Sequence, residues 1–392
     1  MNEKIVLIGL LYERNLGDPL SFDCTKYVIH QIDPNVEIEY LDFYGRSSIE
    51  SNKNGSAGNK AIKSIYSFLK GIIGTRIQEL AFQRRRVHCE EYYDRHFKDA
   101  SLVVIVATGT ITYDVRLDCG PYYSLVAKYA EKYNIPIVVN SGGGENPYIA
   151  SDRRCRRLSD ALSSNAYKIV TTRDNLSELR KYVKNSQTIV AKIADIGVWS
   201  SETFAIKKNL ETKLVGIGII TYKRFAEFKK GISHEQYNQT IIDIITQLEE
   251  KGQRWKMFTN GLEADYANAA EICNSLNRKP GDCIAVPHTP YELVKIISGF
   301  RGIITSRLHS CIIAYSLDIP YIALSWNNKL NYFSDAIGYP ERTVGHENFS
   351  AEQILERYEK AENDGYEERM RTAFKQTDVE YINKYLNLTI QQ

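Results

Sequence analysis

The stretch from Gly302 to Leu324 constrains the fold of this chain more than any other. A short apolar run, Gly302–Thr305, meets a polar turn carrying Arg307 and His309. A compact apolar helix follows, and then a second apolar run introduced by Asp318-Ile319-Pro320. Strand, turn, helix and strand in such quick succession are the signature of an open α/β sheet. In such sheets the turn after a strand opens the next helix, at the edge where ligands bind. Two cationic side chains and the unbonded N–H groups of a helix start then face one point, which suits an anion.

The rest of the chain repeats the theme. Its 392 residues exceed one ordinary core and favour two domains. Candidate strands are Lys4–Leu10, Val36–Leu41, Leu102–Ala107, Ile135–Asn140, Lys168–Thr171 and Thr188–Lys192, with helical segments between them. The register changes around Ser200–Thr212. A second series then runs through strand Lys213–Ile220, helix Glu235–Lys251, strand Arg254–Thr259, helix Asp265–Leu276, strand Asp282–Ala285 and helix Pro290–Gly299. The expected fold class is α/β, with two Rossmann-like domains facing a cleft: residues 1–205, residues 206–345, and a helical tail over 346–392 that crosses back to the first domain. The tail helices are placed at Glu352–Asn363 and Glu367–Tyr385.

Composition narrows the function classes. A formal net charge of +2 gives no reason to expect nucleic-acid binding. The seven cysteines show no CxxC pair and no zinc-type spacing, so no metal is expected and the thiols are read as reduced, in a cytosolic protein. The apolar run Ile5–Leu11 is short and lacks a small-residue cleavage site, which favours a buried strand over a signal peptide. No segment approaches the roughly 20 apolar residues of a membrane span.

Residues 46–60, rich in Ser, Asn and Gly, are expected to form a mobile loop. Two helical stretches follow it, Ile62–Gly71 and Thr75–Phe97. The second carries Arg84-Arg85-Arg86, read either as a solvated face balanced by Glu90 and Glu91 or as a contact for phosphates or an acidic membrane surface.

Five turns of the first domain carry polar or glycine residues directly after strands. Asn15-Leu16-Gly17-Asp18 allows close backbone approach at Gly17, with Asn15 and Asp18 as hydrogen-bonding or capping groups. Gly109–Asp114 ends in an acid able to act as a general acid or base, to hold a sugar hydroxyl, or to cap a helix. Ser141-Gly142-Gly143-Gly144 lacks the dinucleotide-binding spacing but permits close ligand approach at Gly143. Arg173-Asp174 is either a salt-bridged helix start or an anion-binding guanidinium. Asp195 stands near the domain junction.

Taken together these residues resemble the polysaccharide pyruvyltransferase family. The resemblance runs from about Leu7 to Tyr339 and is most specific at Ser306-Arg307-Leu308-His309, with Ala314, Asp318-Ile319-Pro320 and Lys329 after it. It implies a GT-B-like fold, with acceptor binding in the first domain and donor binding in the second. The implied donor is phosphoenolpyruvate as co-substrate, with no other cofactor, and the product is a pyruvate ketal bridging two sugar hydroxyls. Arg307, His309 and Arg173 would then bind phosphoenolpyruvate, with His309 and Asp114 as the catalytic pair. Three departures touch the first domain: Pro19 where the family usually has an acid, Gly109-Thr110 for a longer glycine run, and the irregular turn from Ser141 to Pro147.

The resemblance leaves open whether the acceptor is lipid-linked, and with it a protein working at the inner face of the membrane. Two competing readings are a nucleotide-sugar glycosyltransferase, which also needs an anion site at the second domain's strand ends, and a noncatalytic carbohydrate-binding protein, suggested by the 27 tyrosines.

Overall fold

The computed structural model describes residues 4–49, 60–106, 109–113, 117–144, 146–228 and 231–390, and for residues 60–77 and 389–390 the backbone alone. The chain forms two compact units. One comprises Met1–Glu13, Thr25–Ile193 and Asp378–Gln392, and the other Arg14–Cys24 and Ala194–Thr377.

The first unit is built on strands β1 (Lys4–Gly9), β2 (Glu37–Asp42), β3 (Leu102–Ile105), β4 (Ile137–Gly142), β5 (Tyr167–Thr172) and β6 (Ile189–Lys192). They form one parallel sheet in the order β2-β1-β3-β4-β5-β6. β3 and β4 are buried along their whole length, as strands covered by helices on both faces must be. The near-continuous Val/Ile/Leu runs of the sequence are the cause.

The second unit contains β7 (Leu214–Gly218), β8 (Arg254–Phe258), β9 (Ile284–Ala285), β10 (Gly302–Thr305), β11 (Tyr321–Leu324) and β12 (Thr343–Val344). Its order is β12-β11-β10-β7-β8-β9, again parallel. The chain steps outward from β7 through β8 to β9, then returns to the far side of β7 with β10. That reversal opens a crevice beyond the carboxyl ends of β7 and β10, and the Ser306–His309 turn lies there.

Several sequence expectations change. The two helices after β2 are one, Lys60–Phe97, because Gly71 and Gly74 only weaken a helix and no proline interrupts it. Arg46, expected in a mobile loop, is buried and bonded through Nε and Nη2 to Asp42 at 2.8 and 2.9 Å. Lys60 is helical, while residues 50–59 of that expected loop lie outside the described residues. Asp282 and Cys283 belong to a helical turn begun by Pro280, which leaves β9 two residues. The division between units falls at Ile193/Ala194, ahead of the register change in the sequence. The tail returns from Asp378 onward to the first unit, but Ser350–Thr377 stays with the second.

Gly218 shows how the sheet makes room for its turn. A Cβ there would fall 2.2 Å from Thr305 Oγ1, the atom that accepts a hydrogen bond from the Arg307 backbone N–H at 3.2 Å. Gly218→Ala is therefore expected to lower stability by about 1–3 kcal/mol, read by thermal or denaturant unfolding. Gly281→Ala, where no atom lies within 4 Å of the new Cβ, is the control and leaves the transition in place.

Candidate active site

The site grows from the end of β10. Ser306 and Arg307 leave the strand, and the helix Leu308–Ser316 begins immediately with Arg307 at its N-cap position. The Arg307 guanidinium is 8 % exposed and grips Asp265, itself 0 % exposed, through Nε at 2.8 Å and Nη2 at 2.6 Å. Asp265 also accepts the Thr221 backbone N–H at 2.9 Å. One carboxylate thus ties the chain beyond β7 to the chain beyond β10, across the crevice where the sheet reverses. The fork-on-carboxylate geometry holds the arginine in a single orientation and leaves the Nη1 edge outside the pair. The acid that holds Arg307 comes from helix Glu263–Ser275, 42 residues earlier in the chain.

His309 is buried beside it, on the first turn of the same helix. Against its ring lies the amino end of another helix, Gly17–Ile32, whose first residues cluster with the second unit. A Cβ on Gly17 would sit 2.0 Å from His309 Nδ1 and 2.1 Å from Cγ. Glycine is required because the imidazole occupies the space of a side chain. Asn15 closes the turn by donating Nδ2 to Asp18 Oδ2 at 3.0 Å, and the Asp18 backbone N–H donates to Asn15 O at 3.1 Å. Two helix amino ends therefore meet at His309, and the partial positive charge of each favours an anion there.

Further groups lock the arrangement. The Leu16 N–H donates to Asn260 O at 3.1 Å, and Ser310 Oγ donates to Asn260 Oδ1 at 2.7 Å, so Asn260 joins the Asn15–Asp18 turn to the Arg307–His309 helix. Trp326 Nε1 donates to Ser306 O at 2.7 Å. Burial pushes the Tyr237 phenol up to about 12, which keeps it neutral where it accepts the Ile220 N–H at 3.3 Å. It also pushes the Cys311 thiol far above its ordinary range, so this cysteine is no nucleophile.

The structure sorts the sequence-derived candidates by unit. Asn15, Gly17, Asp18, Asp195, Ser306, Arg307, His309 and Lys329 all belong to the second. The Asn15–Asp18 turn, expected on the first domain because it follows β1, changes sides. Asp195 caps the short helix Ile196–Trp199 by accepting the Gly197 N–H at 2.9 Å. Lys329 follows the cap residue Asn327 at the start of helix Asn328–Ala336 and is partly buried.

Gly143 and Arg173 belong to the first unit, and Asp114 lies outside the described residues. Gly143 is buried, and its carbonyl accepts the Ile111 N–H at 3.1 Å. Arg173 is buried with Nε 4.0 Å from Asp174 Oδ1, while Asp174 Oδ2 accepts the Gly144 N–H at 2.9 Å. Asn175 caps the following helix, Leu176–Tyr182, by accepting the Glu178 N–H.

A family model described as polysaccharide pyruvyl transferase matches residues 15–328. The chain belongs to that family. The matched span opens on Asn15 and includes the Ser306–His309 turn, the two segments that meet at the imidazole. No curated protein sequence matches.

Among solved structures the chain is similar to UDP-GlcNAc 2-epimerase from Methanocaldococcus jannaschii, with TM-score 0.56 and 10% identity over 98% of this chain and 99% of that one. It is also similar to the Neisseria meningitidis UDP-GlcNAc 2-epimerase bound to UDP-GlcNAc, with TM-score 0.52 and 10% identity over 98% and 100%. S. aureus MnaA with UDP gives TM-score 0.51 and 11% identity over 99% and 98%. These likenesses establish a GT-B-like fold of two Rossmann-type units.

Asp265, Asn260 and Trp326 escaped the sequence reading. Asp265 looked like an ordinary acidic helix start, and nothing local to it points to an arginine 42 residues away. Asp265→Ala strands a buried guanidinium and is expected to cost about 3–5 kcal/mol of stability. Thermal unfolding checks this, and an unchanged transition would show that the pair contributes nothing.

Proposed function

We propose that this member of the family transfers pyruvate from phosphoenolpyruvate to two hydroxyls of a sugar in a polysaccharide or its precursor, forming a pyruvate ketal and releasing phosphate. The observation that carries this reading is the convergence of two helix amino ends and Arg307 around His309. Phosphoenolpyruvate bears a carboxylate and a phosphate, and a site with oriented cationic and N–H donors suits both.

The chemistry assigns each group a task. The methylene carbon takes a proton, which leaves C2 as an oxocarbenium ion that the first hydroxyl attacks. The C2–O bond to phosphate then breaks, with its electron pair leaving on phosphate, and the second hydroxyl closes the ketal. Of the two hydroxyl protons, one balances that taken by the methylene and the other leaves with phosphate. In this scheme His309 protonates or hydrogen-bonds the departing phosphate, and Arg307 stabilises its charge. Arg173 is assigned a further phosphoenolpyruvate contact, and Asp114 the base for the first hydroxyl. Gly17 acts by letting the imidazole take its place.

The test is mass spectrometry of a glycan acceptor after incubation with phosphoenolpyruvate, followed alongside phosphate release. The expected product is heavier by one pyruvate less one water. Arg307→Lys and His309→Gln are expected to keep the fold and lower turnover roughly 10²-fold or more. Near-normal turnover removes the residue concerned from the site. Phosphoenolpyruvate is expected to raise the melting temperature where UDP-GlcNAc does not, and the reverse result would favour a nucleotide-sugar transferase.

A further inference from the structure

The helix Lys60–Phe97 is far longer than a crossover between β2 and β3 requires, and its two ends differ in charge. At the carboxyl end, Glu90 accepts Lys128 Nζ at 3.1 Å, and Asp94 accepts Lys132 Nζ at 2.5 Å and the Tyr133 hydroxyl at 2.7 Å. Cys89 and Tyr93 are fully buried there. This end is held by its own unit. Upstream, residues 60–89 carry Lys60, Lys63, Lys70, Arg76, Arg84, Arg85 and Arg86 against one acid, Glu79. Glu79 is already bonded to Arg157 at 2.9 Å.

The apolar residues are divided as well. Leu80 and Val87, seven residues apart and so on one stripe, are 60 % and 64 % exposed, on the side opposite Cys89 and Tyr93. Arg84 stands between them on that stripe.

Leu80 and Val87 are exposed beside three successive arginines, of which Arg86 is bonded to Glu90 at 3.1 Å and Arg85 lies against Tyr44. No helix among the described residues is long and apolar enough to cross a membrane. Apolar residues flanked by lysine and arginine, with few acids, are the pattern of a helix that lies in the headgroup layer of a bilayer. The excess positive charge selects anionic lipid.

We infer that the helix Lys60–Phe97 docks the protein on an anionic membrane surface through the stripe of Leu80, Arg84 and Val87, with Arg84, and the part of Arg86 left by its 3.1 Å bond from Nε to Glu90, engaging lipid phosphates. Arg85 has a second task nearer the body, since its guanidinium stands 5.7 Å from the centre of the Tyr44 ring.

The full-length chain is sedimented with vesicles of phosphatidylcholine alone and of phosphatidylcholine with phosphatidylglycerol, a measurement independent of the reaction. The expected result is binding to the anionic vesicles only, weakening as salt rises. The double variant Arg84→Ala/Arg86→Ala is expected to lose roughly tenfold or more in partitioning. Leu80→Asp/Val87→Asp is expected to abolish binding, with thermal unfolding unchanged because both side chains face solvent. A chain that stays in solution with anionic vesicles overturns the inference, and so does equal binding by both variants.

Discussion

The Arg307–Asp265 pair is the constraint on which the second unit's ligand edge depends. A guanidinium remains charged at any accessible pH, and burying it without an anion costs several kcal/mol. Asp265 supplies that anion and at the same time holds the Thr221 N–H. The turn after β7, the helix after β8 and the turn after β10 are thereby fastened to one carboxylate. The stabilisation is as much geometric as energetic, because a fork held at two nitrogens cannot swing. Whatever anion the site accepts meets an arginine already aimed.

The arrangement divides labour between permanent and switchable charge. Arg307 and the two helix ends present a fixed positive field. The imidazole of His309 can gain or lose a proton, and it stands where the two helix ends meet.

Much of this was legible in the sequence. Near-continuous apolar runs identify buried parallel strands, and both sheets form from the segments those runs mark. The Ser306–His309 turn follows a strand and opens a helix as its pattern requires. The failures share a cause, namely distance along the chain. Asp265 and Asn260 matter because folding brings them to β10. The Asn15–Asp18 turn follows a strand of one sheet yet clusters with the other unit, and no local pattern records that. The glycines at 71 and 74 mislead in the opposite way, since a break that local propensity allows is overridden in a longer helix.

Gly17 has a meaning beyond its own turn. The imidazole of His309 stands where a side chain at position 17 would begin, so the two positions share one small volume. They are not free to vary separately. A lineage that placed even an alanine at 17 would have to shrink or displace the ring at 309, giving up the packing of the two helix ends around it. Mutational drift in a turn is usually cheap, but here it displaces a buried ring on another helix. The turn is therefore held in its present form by steric exclusion, which acts whether or not any ligand is bound.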